Sequence, residues 1–381
     1  MSIASYEINY KSIYLLFVLN LLNLEDNEKK AKIISDMLSR HVRNEISTEQ
    51  IIDRLNSEID FQHQYIKPKK SIDEVAKILY DNKENIKPSY GIEFGFVNNL
   101  YDISQTDIPH DLPFHARIGI GRHSTGFVLE ERILLEDSFM FLAETFFYWK
   151  RYKAYAEKIS SRNQSLDQNL YRKLTDIKSN IILKSKRGLT SFYSFLEAFT
   201  NSIGYDFMIK NENELTELQI ARLLGYQKAN RKGYLNLGSK FQEFSKIIRN
   251  REHPLLEIKT DNIPKCYKDL FSTVTPLRDS LMHFGPEKEP IFKKPEEWVE
   301  NLKEASKIII RVARNFWKLC YPDKPFPSYL LYLDYNELVK YSKTVVDNNI
   351  SFISNIKIKK TKSPKKIPTS KRNKSGKKKK S

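Results

Sequence analysis

The chain has 381 residues, 40% of them hydrophobic and 29% charged, with only two cysteines, Cys266 and Cys320. That length allows two or three domains and a sizeable core, and so few cysteines argue against a disulfide framework or a structural zinc. The net charge of +17 is uneven: residues 355–381 carry +13 of it, and the other 354 residues only +4.

Residues 1–85 read as an N-terminal helical region, with helices at Ile13–Leu24, Lys29–Arg43, Thr48–Phe61 and Ile72–Tyr80. The apolar run Ile13–Leu24 is interrupted by Asn20 and Asn23 and is too short to cross a bilayer, so no membrane association is expected. Glu7 and Lys11 break the start and no small-residue cleavage site follows, which argues against a signal peptide. With reduced cysteines the expected location is cytoplasmic; in a eukaryotic host the lysine-rich end would serve as a nuclear import signal.

Residues 86–130 form a small β-containing segment. Ile92, Phe94 and Phe96 alternate with Glu93 and Gly95, and Ile118 and Ile120 alternate with Gly119 and Gly121, a pattern that predicts short strands. His110, His115 and His123 lie close together here, but without cysteines or ordered ligand spacing, so neither a metal nor any other cofactor is expected. Residues 131–186 are connecting helices, marked by Leu134, Phe139, Leu142 and Phe146 and then by Leu170, Leu174, Ile177 and Ile181. The aromatic run Phe139–Trp149, followed by Lys150, Arg151 and Lys153, suits a buried helix with a basic end better than a base-stacking surface.

Residues 187–320 hold the stretch with the most chemistry. Helices are predicted near 188–208, 213–224, 239–250, 265–273, 276–284 and 296–319. In the first, Phe192, Phe195, Leu196, Phe199 and Ile203 make a buried face, while Glu197 and Asn201, four apart, share another. A polar loop follows with Tyr226, Lys228, Arg231, Lys232 and Tyr234, either solvated or a grip for nucleic acid. Further on, Thr275 reads as an N-cap, Pro276 as the first helical residue and Gly285-Pro286 as a stop, so Arg278 and His283 flank one side of a short helix. A permanent cation and a group that exchanges protons near neutral pH are together suited to metal-free RNA cleavage.

Spacing alone is weak. The chain's 18 arginines and 7 histidines yield about one Arg-x4–6-His pair by chance, and a second pair, Arg117 and His123, is present across a glycine-broken stretch. Taken singly, His283 reads as a helix C-cap and Arg278 as a surface ion-pair partner of Asp279 or Glu287.

The combination of Glu197-x3-Asn201 with Arg278-Asp279-x3-His283 resembles the HEPN domain family, all-α bundles many of which are ribonucleases. The resemblance covers about residues 187–320. It implies catalytic roles for Arg278 and His283 and supporting roles for Asp279, Glu197 and Asn201. It also implies RNA as substrate and a homodimer in which two Arg/His pairs face each other, the setting of a toxin or defence effector. The rival from another class is a non-catalytic nucleic-acid-binding or scaffold protein that uses the bundle for dimerisation or partner binding.

Pro322, Pro325 and Pro327 end the last bundle helix, and residues 321–354 supply a turn and a helix near 335–347. Residues 355–381 have twelve lysines, Arg372 and no acid, and are predicted to be disordered. Such an arm, including Lys365, Lys366, Lys371 and Arg372, attracts the backbone of RNA, DNA or another polyanion by counterion release. The expected fold class is therefore mainly α: a helical bundle, preceded by a helical region with a small β insertion, and followed by a disordered basic tail.

Overall fold

The computed structural model describes residues 3–22, 26–83, 91–104, 106, 108, 111–119, 126–160, 168–258, 263–282, 293–330 and 335–360, the last eleven as backbone. The fold is mainly α-helical with two small antiparallel sheets. No helix among these residues is long and apolar enough to cross a membrane.

The chain opens with α1 (Ile3–Leu22), α2 (Asn27–Val42), α3 (Thr48–Gln62) and α4 (Ile72–Asp81). Helix α1 is apolar on nearly every side, which suits a central helix, and the other three pack around it. Its Tyr14, Leu15, Val18, Leu19 and Leu21 are fully buried. Helices α3 and α4 begin on capping boxes, Ser47 with Gln50 and Ser71 with Glu74, which satisfy the first orphan N–H groups.

Next come β1 (Lys67–Pro68), β2 (Ile92–Glu93), α5 (Phe94–Leu100), β3 (Tyr101–Asp102), β4 (Arg117–Gly119) and β5 (Gly126–Val128). Strand β1 pairs with β3, and β4 lies between β2 and β5. The strand predicted through Phe94 and Phe96 is instead a helix from Phe94 onward. The pairing stops at Glu93, and the Phe94 and Gly95 amides donate to the carbonyls of Ala116 and Phe114. Phe94, Gly95, Val97 and Leu100 are then all buried, a helical rather than a period-two pattern.

Two long helices form the spine: α6 (Glu130–Ser160) and α7 (Gln168–Asn211). They run antiparallel, as the contacts Phe139 with Phe192, Glu144 with Lys184 and Tyr152 with Lys178 show. The two stripes predicted upstream and downstream of residue 187 are one continuous helix of about 65 Å. Gly188 sits where α7 meets its neighbours. A Cβ there would lie 3.0 Å from Leu302 and 3.2 Å from Phe141, so the glycine is a packing point.

The remaining helices are α8 (Glu217–Leu223), α9 (Leu237–Ile248), α10 (Lys265–Asp269), α11 (Thr275–Met282), α12 (Pro295–Cys320) and α13 (Tyr335–Lys360). As its periodicity predicts, α12 buries Val299, Leu302, Ala305, Ile309, Val312 and Phe316, and it lies along α7. Helix α13 packs on α6 and continues to Lys360, six residues into the segment expected to be disordered; the rest of that tail lies outside the described residues. One apolar core runs from Ile8 to Leu330. Phe192, Phe195 and Phe199 of α7 are fully buried in it, and truncating any of them to alanine should cost about 3–5 kcal/mol.

Candidate functional site

Helix α7 sets Tyr193, Glu197 and Asn201 four residues apart, on one ridge beside its buried aromatic face. Helix α11 crosses this ridge and delivers Arg278. Its Nη2 is 3.8 Å from Glu197 Oε2, and its Nη1 donates to Asp279 Oδ1 at 3.0 Å. The guanidinium carbon lies 4.7 Å from the centroid of the buried Tyr193 ring, a cation–π contact. Burial pushes the Tyr193 phenol above its usual range, so it stays neutral beneath the cation.

A third helix completes the cluster. Lys240 of α9 donates from Nζ to Asn201 Oδ1 at 2.8 Å. Burial lowers the pKa of the Lys240 ammonium, and the Glu197 carboxylate opposes that shift. Two cations on two different helices therefore flank one carboxylate on α7.

The route by which Arg278 arrives differs from the sequence reading. Thr275 is not an N-cap: its backbone is helical, at φ −60° and ψ −48°. Helices α10 and α11 are joined without a break by a π-helical turn, Leu270–Val274. The reason is Pro276, which has no N–H and whose ring would press on the Ser272 carbonyl in a regular α-helix. The wider π turn falls at that point. It keeps Leu270, Val274 and Leu277 in the core and leaves Arg278 at the rim, its side chain 24% exposed.

The structure thus brings Glu197, Arg278 and Asp279 together, and places Asn201 one helical turn from Glu197 on Lys240. Asn201, expected in a supporting role, has Lys240 as its partner. His283 and the Gly285-Pro286 stop lie outside the described residues; His283 directly follows Met282, the last residue of α11. Lys365, Lys366, Lys371 and Arg372 also lie outside them. Lys240 is absent from the sequence reading. The available signal was charge: Leu218–Gln242 holds five cations and no acid.

Three of those cations, Lys228, Arg231 and Lys232, are exposed on a formed hairpin rather than a loose loop. Tyr226 and Tyr234 make an antiparallel bridge, and the amides of Gln227 and Leu235 donate to the carbonyls of Gly233 and Gly225 at 3.0 and 2.8 Å. Gly225 has φ +88°, and a Cβ there would come within 3.3 Å of Lys240 Cε. The hairpin therefore springs from the same spot as the lysine that holds Asn201.

The other histidine-rich region has a different character. His115 faces Glu131 and Ser202, its Nε2 3.7 Å from Glu131 Oε2 and 3.2 Å from Ser202 Oγ; His110 and His123 lie outside the described residues. The aromatic run of α6 buries Phe139 fully, while Phe146, Tyr148 and Trp149 pack on Ile177, Ile181 and Val299, with Lys153 and Arg151 over aromatic rings.

Chemically, the α7–α11 cluster offers an oriented guanidinium whose contact with Glu197 is long and partly exposed. Such a pair contributes little to stability and yields readily to a stronger ligand. A phosphate, which takes a bidentate arginine, is a ligand of that kind. No family model matches this chain, and no curated protein or solved structure matches it.

Proposed function

We propose that this chain is a metal-independent endoribonuclease of the HEPN type, with Arg278 and His283 as its catalytic residues. One observation carries the reading: Arg278, picked out by its spacing from His283, sits where α11 crosses α7, with Glu197 beside it and Tyr193 beneath it.

In this reading RNA supplies the nucleophile. His283 takes the proton from a 2′-hydroxyl, and the 2′-oxygen attacks the adjacent phosphorus. The bond to the 5′-oxygen breaks, and that oxygen leaves with a proton from His283 of a second subunit. The products are a 2′,3′-cyclic phosphate and a 5′-hydroxyl. Arg278 from each subunit neutralises the charge that builds on the phosphoryl oxygens, while Glu197 and Asp279 hold its fork in place. Asn201 and Lys240 border the same position. One proton-transfer histidine per chain calls for two chains, hence a homodimer with its two-fold axis near residue 283. The basic tail and the cations Lys228, Arg231 and Lys232 attract the RNA backbone.

The test is incubation of the purified chain with RNA, and with DNA of matched sequence, in excess chelator. The expected result is RNA cut to 2′,3′-cyclic phosphate ends and DNA left whole. A requirement for divalent metal, or equal cutting of DNA, would overturn the proposal. Light scattering should report about twice the 44.9 kDa chain mass, and a strictly monomeric enzyme would remove the shared site.

A further inference from the structure

The hairpin between α8 and α9 presents a feature that charge attraction does not explain. Tyr234 is 77% exposed, among the most exposed large hydrophobic side chains described, yet it is not loosely held. Its ring lies 5.3 Å from that of Tyr226, tilted by 35°, across a β-bridge. Its carbonyl accepts from Gln227 Nε2 at 2.9 Å. The turn itself is closed by the Arg231 amide donating to the Lys228 carbonyl at 2.9 Å, with Arg231 in the left-handed region at φ +56°.

A cross-strand tyrosine pair often does no more than steady a hairpin. That role uses the face of Tyr234 turned to Tyr226 and leaves its outer face in water. A fixed aromatic plane with an open face, in a hairpin that carries the exposed cations Lys228, Arg231 and Lys232 and no acid, is the arrangement that binds single strands. The cations follow the phosphates while the ring stacks on a base, whichever base it is.

We infer that this hairpin is a stacking clip for an unpaired RNA strand, with Tyr234 as the platform and Tyr226 as its support. Unpaired RNA is favoured over duplex because a duplex keeps its base faces stacked on one another, out of reach of a side chain. The clip's base leads to the site through Gly225 and Lys240, whose ammonium holds Asn201 one turn from Glu197. A base seated on Tyr234 would therefore set the path of the strand toward Arg278. The inference rests on the ribonuclease reading for the destination of that strand, and not for the binding itself.

The test measures binding without turnover. Full-length His283→Ala protein is titrated into a labelled, unstructured RNA of about a dozen nucleotides, with and without Tyr234→Ala or Tyr234→Phe. Tyr234→Ala should weaken binding about tenfold, and Tyr234→Phe should retain it. Binding of a duplex of the same sequence should not change with either substitution. Matching thermal unfolding of the variants keeps a loss of binding from being a loss of fold. Unchanged affinity of Tyr234→Ala, equal losses for strand and duplex, or a Phe variant as weak as the Ala variant would each overturn the clip. If wild-type chain cuts no RNA while binding still depends on the Tyr234 ring, the clip stands and the ribonuclease falls. If it cuts RNA and Tyr234→Ala binds normally, the reverse holds.

Discussion

Arg117 lies on the central strand of a three-stranded sheet, across from Glu93 at 3.6 Å, with the two side chains 41% and 60% exposed. Arg278 lies on a helix that follows a π turn, over a buried tyrosine, between two carboxylates of different helices. The two arginines precede a histidine by nearly the same interval, His123 and His283. Spacing treats them alike; their surroundings do not. A cross-strand ion pair is ordinary sheet stabilisation, whereas the convergence of α7 and α11 on one guanidinium, with Lys240 of α9 on the neighbouring Asn201, makes a place where a charge can be held.

The largest effect expected from that difference is catalytic. Arg278→Ala and His283→Ala should each lower RNA turnover in chelator by roughly 10²- to 10⁴-fold, with melting temperature little changed. Arg117→Ala and His123→Ala should leave turnover near the wild-type value. Comparable losses from both pairs would erase the contrast between the windows.

A smaller effect should come from the residues that position Arg278. Glu197→Gln and Lys240→Met should each cost about 10- to 100-fold in kcat, because the guanidinium and Asn201 lose their anchors. Glu93→Gln, which removes one ion-pair partner of Arg117, should cost nothing measurable in the same assay. A harmless Glu197→Gln would show that the 3.8 Å contact does not orient the arginine.

Removing residues 361–381 deletes ten cations and leaves α13 whole. RNA affinity should fall and its salt dependence should flatten, while turnover at saturating RNA stays within about twofold, because a cationic arm supplies backbone attraction and no chemistry. Turnover lost at saturation and low salt would place part of the tail in the active site.

The smallest effect belongs to the N-terminal helices, away from both windows. His63 pairs with the Tyr14 hydroxyl at 2.9 Å, and burial lowers its pKa below the ordinary 6.5. The folded state thus binds a proton less readily than the unfolded chain. The stability is fully present above about pH 6.5 and falls as the pH drops below it. His63→Gln should flatten that fall, changing the Tm difference between pH 7 and pH 5 by about 2 °C. A steeper acid dependence in the variant would contradict the sign.

Much of the fold was legible because burial writes a period into the chain. The apolar stripe of α12 and the Ser47 and Ser71 capping boxes mark their helices without reference to anything distant. Pro276 misled because local rules make it the first residue of a new helix, whereas the chain carries the helix through it; Gly188, at the predicted start of a helix, lies inside a longer one. Gly188 lets α7 meet Leu302 and Phe141, and Pro276 is absorbed by the π turn before it. Phe94 and Phe96 alternate with polar or small neighbours over too few residues to distinguish a strand from one buried helical turn. At the site, Glu197 and Arg278 are linked by the motif of the family the sequence resembles. Lys240 is not, since its partner Asn201 is 39 residues away and no local signal links them.

The central claim is that this chain cuts RNA by using the substrate's own 2′-hydroxyl, with Arg278 and His283 as the protein's contribution. Its most direct test is a synthetic RNA with one 2′-deoxy nucleotide at a mapped cleavage position, incubated with the wild-type chain in excess chelator. The account predicts that cutting stops at the deoxy position and continues at unmodified positions, each yielding a 2′,3′-cyclic phosphate. Cleavage that persists at the deoxy position, with a plain 3′-hydroxyl or 3′-phosphate end, would contradict it.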